Sequence, residues 1–204
     1  MKPDDPTPPV WFRLPPGFHD IGPGDRDALD CIAKNLGSSD AQRDLSRLMD
    51  HLDELAAHHV VHTSVGLHPG DQADISTSIF SLAVWRSEQL NPRVSVARTA
   101  LAISRSELWT SATREFIDLP SQQPCCLVSG FMSPPGFEER LFQARIAMAH
   151  PAQGHVIVLD LTSAAIEHAA PYTSILNAIA HTISFSDPSP TRASGTSRIM
   201  DLLL

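Results

Sequence analysis

Short runs of β-branched and aromatic residues, separated by turns rich in proline and glycine, recur through this chain and constrain its fold more than any other feature. Val60 to Leu67 and Asp74 to Trp85 flank the turn sequence His68-Pro69-Gly70-Asp71. In the second run Ile75, Thr77, Ile79, Ser81, Ala83 and Trp85 share one face, because successive side chains on a strand point to opposite sides. The pair predicts an antiparallel hairpin. Phe142 to Ala149 and His155 to Leu161 predict another, turned by His150-Pro151-Ala152-Gln153-Gly154. Leu108 to Leu119 has both helical and extended character. It reads as a strand because Asp118-Leu119-Pro120 ends it and Cys125 to Met132 can pair back on it. Val10 to Leu14 is a further short strand, closed by Pro15-Pro16-Gly17-Phe18. There proline presets φ and glycine accepts a positive value, which suits a type II turn.

Between these runs the apolar period lengthens to that of helices. Asp25 to Leu36 predicts a helix closed by Gly37. From Asp40 to about His58, Leu45, Leu48, Met49, Leu52, Leu55 and Ala56 form one stripe, the signature of an amphipathic helix. Asn91-Pro92 opens another, with Asn as cap and Pro where no hydrogen bond is lost. Val94, Ala97 and Leu101, with Val96 and Ile103 as further members, are its expected buried residues, and it ends near Ser104. The last helix runs from about Pro171 to Ile183, with Tyr172, Ile175, Leu176, Ile179 and Ile183 on one face. Hairpins outnumber any βαβ unit. The expected class is α+β, an antiparallel sheet of about six to seven strands with helices packed mainly on one face.

The expected organisation is a disordered, acidic, proline-rich segment 1–9, one domain over residues 10–185, and a Ser/Pro/Thr linker with an apolar tail over 186–204. A chain of 204 residues is long enough for a full core without staples. Net charge is −8, which disfavours binding to phosphate backbones, so no nucleic-acid partner is expected. The start has no apolar stretch behind a basic end, and no run reaches a membrane span. Cys31, Cys125 and Cys126 are odd in number and lack metal-type spacing, which fits reduced thiols and a cytoplasmic location. Lys2 and Lys34 are the only lysines beside thirteen arginines, a bias typical of GC-rich genomes such as those of actinobacteria.

The order of elements, the segment Phe12-Arg13-Leu14-Pro15-Pro16-Gly17-Phe18, and the closing helix from Pro171 that ends in Phe185 resemble the Mog1/PsbP-like fold, including the LpqN-type proteins of actinobacteria. The resemblance covers residues 10–185 in order of elements. It implies a protein that binds partners or assists assemblies. It brings no set of catalytic residues.

Ionisable clusters offer little chemistry. His58 and His62, with His59 between them, would sit one helical turn apart and chelate a metal if the helix continued. Val60-Val61 argues that it stops, leaving a polar helix end. Glu167-His168 and His181 flank the last helix and read as solvated. Cys125 and Cys126 lie in an apolar strand, where burial raises a thiol pKa and makes a poor nucleophile. No catalytic residue, metal or cofactor is therefore assigned. Ile199, Met200, Leu202, Leu203 and Leu204, behind the polar linker, resemble a tethered docking peptide. They could equally fold back onto the domain. The chain reads first as a non-catalytic protein-binding or accessory module that docks to a larger protein or assembly. A small enzyme with a cleft between the sheet and the first two helices, or a His-based metal-binding protein, is the alternative. A second copy of the chain is one way to cover an open sheet face.

Overall fold

In the computed structural model the described residues are 7–22, 25, 59–69, 75–89, 91–133, 140–151 and 154–187. The two expected helices at 25–36 and 40–58 lie outside them, apart from Asp25, and so do most of segment 1–9 and of tail 186–204.

Seven strands follow in chain order: β1 Phe18–Asp20, β2 Val60–Pro69, β3 Ile75–Arg86, β4 Trp109–Phe116, β5 Cys125–Met132, β6 Leu141–Ala149 and β7 His155–Ser163. They form one sheet in the order β1-β2-β3-β7-β6-β5-β4, and every neighbouring pair is antiparallel. The expected hairpins β2–β3, β4–β5 and β6–β7 are present. β5 also pairs with β6, which turns the last four strands into a continuous meander. Helix α1, Pro92–Ser104, carries the chain from β3 to the far edge at β4. Four strand spacings amount to about 19 Å, and a helix of this length spans about 20 Å. The crossover leaves room for β7 to return beside β3. Helix α2, Ala169–His181, follows β7 through a short 3₁₀ turn, Ile166–His168.

The sheet carries apolar side chains on both sides, and among the described elements one helix packs on each. Phe80, Leu82, Leu127, Ile146, Met148, Ile157, Leu159 and Leu161 meet Tyr172, Leu176, Ile179 and Ile183 of the α2 side. The opposite side is smaller. There Cys126, Val128, Ala147, Ala149, Val156 and Val158 pack under Val96 and Ala100 of α1. The short side chains of this second layer let the helix backbone approach closely.

Two local expectations change. Val10 to Leu14 is extended but is not a strand. Its single bridge joins Trp11 to Ser184, with N–H···O bonds of 2.9 Å in both directions. The partner is the short exit from α2 and offers no longer ladder. Val10, Phe12 and Leu14 still pack against the α2-side core. The first strand begins after the turn, where Gly17 has φ +94°. A Cβ there would stand 2.7 Å from the Leu67 carbonyl oxygen, so both conformation and space call for glycine. The second change concerns α1. Asn91 caps it as expected, its Oδ1 accepting from the N–H groups of Arg93 at 3.0 Å and Val94 at 3.3 Å. Val96 is buried as expected, together with Ser95 and Ala100, and Leu101 and Ile103 are half-buried, whereas Val94 and Ala97 face outward. The helix is apolar on several sides, and packing selected the side with the smaller residues.

Candidate functional site

β2 places His62, Ser64, Gly66 and His68 at alternate positions, so all four face α2. Ser64 is fully buried. Its Oγ lies 2.7 Å from His62 Nε2 and donates to Asp20 Oδ1 at 3.0 Å. His62 Nε2 is itself 3.4 Å from that carboxylate. Serine and aspartate thus share one ring nitrogen, whereas a hydrolytic triad places them on opposite nitrogens. With no exposed face on the hydroxyl, the arrangement serves as a staple holding β1 to β2. Burial pushes the His62 pKa below its ordinary value, and Asp20 opposes that shift.

A second polar knot lies at the other end of the strand. His68 Nε2 is 2.8 Å from Ser78 Oγ, and Tyr172 Oη donates to Ser76 Oγ at 2.9 Å. The His68 ring packs edge-on to Tyr172, with centroids 5.2 Å apart. Burial lowers the His68 pKa, and His168 adds to the effect. On the α1 side of the sheet Gln143 donates to Asp160 and Thr162, and Arg145 pairs with Asp160. These three polar groups tie strands together and helix to sheet.

A large concavity among the described residues lies elsewhere. A cleft of about 750 Å³ opens between the outward side of α1 and the β4–β5 loop. Val94 and Ala97 line one wall, Phe116, Ile117 and Leu119 another, and Arg93 and Asp118 stand at the rim. Phe116, at the end of edge strand β4, is 70% exposed, and Val94 is 42% exposed. The size suits a ligand or peptide site. Val94 and Ala97, which sequence periodicity assigns to the core of α1, therefore line an open groove.

The residues singled out by sequence are scattered. His59 sits in a left-handed turn at φ 65° and His62 on β2, so they do not share a helix; His58 lies outside the described residues. Among the described residues no three His, Cys, Asp or Glu side chains converge as a metal site requires. Glu167 and His168 pair at 3.7 Å before α2, while His181 lies at its far end. Cys125 and Cys126 are buried on opposite sides of the sheet, and burial pushes the Cys125 thiol up to about 12. Burial also raises Cys126. Neither has the lowered pKa of a nucleophile. Ile199 to Leu204 lie outside the described residues. The alternation His62, Ser64, His68 on β2, with Ser76 and Ser78 on its hairpin partner, is a signal from which the polar knots were legible. The cleft had none, since a groove wall and a core face share one hydropathy pattern.

Fold and groove together define a class: an α+β domain on one antiparallel sheet, with an apolar cleft at the sheet edge. The comparison with solved structures agrees with that fold. The chain is similar to the crystal structure of LpqN, involved in cell envelope biogenesis of Mycobacterium tuberculosis, at 16% sequence identity and a TM-score of 0.50, over 89% of this chain and 86% of that one. No known family and no curated protein matches the sequence. Among the described residues no helix is long and apolar enough to cross a membrane.

Proposed function

We propose that this chain is a non-catalytic accessory protein that docks on another polypeptide, receiving an apolar segment of it in the cleft between α1 and the β4–β5 loop. The exposure of Phe116 beside that groove carries the reading. A single exposed ring is ordinary, but one that borders an apolar groove also walled by Val94, Ala97 and Ile117 supplies the aromatic anchor that partner-binding surfaces favour. β4 is also an edge strand, a position from which extended peptides are recognised. The role of LpqN in envelope biogenesis is compatible with an accessory role. The Mog1/PsbP-like assignment, the division into a body at 10–185 and a tether at 186–204, and the docking role of Ile199 to Leu204 belong to the same proposal. So does a cytoplasmic location, which two buried free thiols support. Cell fractionation tests that location.

The docking test is site-specific photocrosslinking in the native cells. A benzophenone side chain at position 116 should yield a discrete adduct with one protein. The same group at exposed His181, at the end of α2, should not. Equal labelling at both positions, or no adduct at 116, would refute docking at this cleft.

A further inference from the structure

We propose, resting on the docking reading above, that the docked segment lies extended along the free edge of β4 as an added strand, with its apolar side chains turned into the cleft and its carboxylates turned to Arg114 and Arg93. Among the described residues β4 pairs with β5 alone. The Ile117 N–H donates to the Cys125 carbonyl at 3.2 Å, directly after the Phe116–Cys126 pair. Hydrogen-bonded and open pairs alternate along an antiparallel ladder. The N–H and C=O groups of Ala112, Arg114 and Phe116 therefore point away from the sheet, where an incoming strand can bond to them.

The two edges of the sheet are not equivalent. β1 offers only three residues, and so short an edge invites no partner. β4 has eight, and its bulge falls at the start, between Trp109 and Ser111. From Ser111 to Phe116 the register is regular and the sequence carries neither proline nor glycine. Ala112 packs in the layer under α1, and Arg114 and Phe116 stand opposite Val128 and Cys126 of the same layer. All three therefore share the face that opens on the cleft, while Glu115, opposite Leu127, faces the other way.

The charge of that face sets the chemistry of the partner. Arg93, Arg98 and Arg105 are exposed along α1 and its C-cap, and Arg114 is exposed on the strand beside Phe116. Residues 92–105 hold no carboxylate, in a chain of net charge −8. Arg93 occupies the first turn of α1, where a cation opposes the helix dipole, so helix stability does not account for it. Among the residues that line the cleft Asp118 alone is acidic. An acidic, apolar segment complements this surface, with an apolar and an acidic residue two positions apart reaching Phe116 and Arg114. A second copy of the chain fits less well. A two-fold pairing of β4 centred on Thr113, Arg114 or Glu115 sets like charges opposite or diagonal to one another.

The test extends photocrosslinking with the full chain in the native cells. Benzophenone at position 113, exposed on the opposite face of β4, should label the same protein as benzophenone at 116, because a strand on the edge passes both. Labelling from 116 should fall about tenfold in Arg114→Glu and in Arg93→Glu, and persist in Arg114→Lys. Arg93→Glu puts a carboxylate where the helix dipole favours it, so loss of label there is not loss of the fold. An adduct at 116 without one at 113 would overturn the added strand. Unchanged labelling in the two Glu variants would overturn the acidic partner, and label recovered in lipid or in a second copy of the chain would overturn the whole inference. The first two outcomes leave docking at the cleft intact, whereas a parent chain with no protein adduct at 116 removes docking itself.

Discussion

Tyr172 pins α2 to the β2–β3 hairpin, and two substitutions separate how it does so. Its side chain is 1% exposed, stacked on Phe142 at 6.2 Å and edge-on to His68 at 5.2 Å. Its hydroxyl donates to Ser76 Oγ at 2.9 Å. Tyr172→Phe removes that bond alone. A hydrogen bond of this kind contributes about 0.5–1.5 kcal/mol, and Ser76 is only half-buried, so water can take the vacated place. Tyr172→Ala removes the ring as well, and truncating a buried aromatic costs about 3–5 kcal/mol in lost burial and residual cavity. For a chain of this size each kcal/mol lowers Tm by about 2–4 °C. The phenylalanine variant should therefore melt roughly 1–6 °C below the parent, and the alanine variant at least 6 °C below it. Urea titration with a constant slope would confirm that native stability, rather than the unfolded state, has changed. If the two variants prove equally unstable, the hydroxyl and not the ring is the pin. If alanine costs less than about 2 kcal/mol, the packing argument for α2 is wrong.

Three further outcomes are expected. Gly130→Ala should cost about 3 kcal/mol and release β4 in hydrogen exchange, because a Cβ there would stand 2.0 Å from the Ser111 carbonyl oxygen, where backbone must shift. Equal protection of β4 in the variant would show that the bulge between Trp109 and Ser111 absorbs the methyl group. Asn91→Ala should cost about 1 kcal/mol by orphaning two N–H groups of α1, with Asn91→Asp nearly neutral, both read by thermal denaturation. Acid should destabilise the protein from near pH 6.5 downward. His62 and His68 have folded-state pKa values below that ordinary value, so the unfolded chain takes up their protons first. Their contribution is complete above pH 6.5 and is lost as pH falls towards the folded values. Replacing both with Gln should flatten that part of the profile, and an unchanged slope would assign it to other groups.

The sequence by itself determined the elements whose two sides differ clearly. The strands from Val60 to Ser163 alternate or run apolar between proline- and glycine-bearing turns, and hairpin partners lie close in sequence, so pairing is local and readable. The Asn91 cap, the Gly17 turn and the stripe through Tyr172, Leu176 and Ile179 were legible for the same reason, since each follows from the chemistry of a few adjacent residues. Only the tertiary structure decided which side of α1 is buried, that Val10 to Leu14 ends in a single bridge, and that Val94 and Ala97 of α1 meet Phe116 across a groove. Those outcomes depend on contacts between segments far apart in the chain. The physical reason is that hydropathy records whether a residue prefers to leave water, whereas the shape of the neighbouring layer decides what covers it. The small residues of the second sheet face, Ala147 and Ala149, accept Val96 and Ala100 and leave Val94 and Ala97 outside.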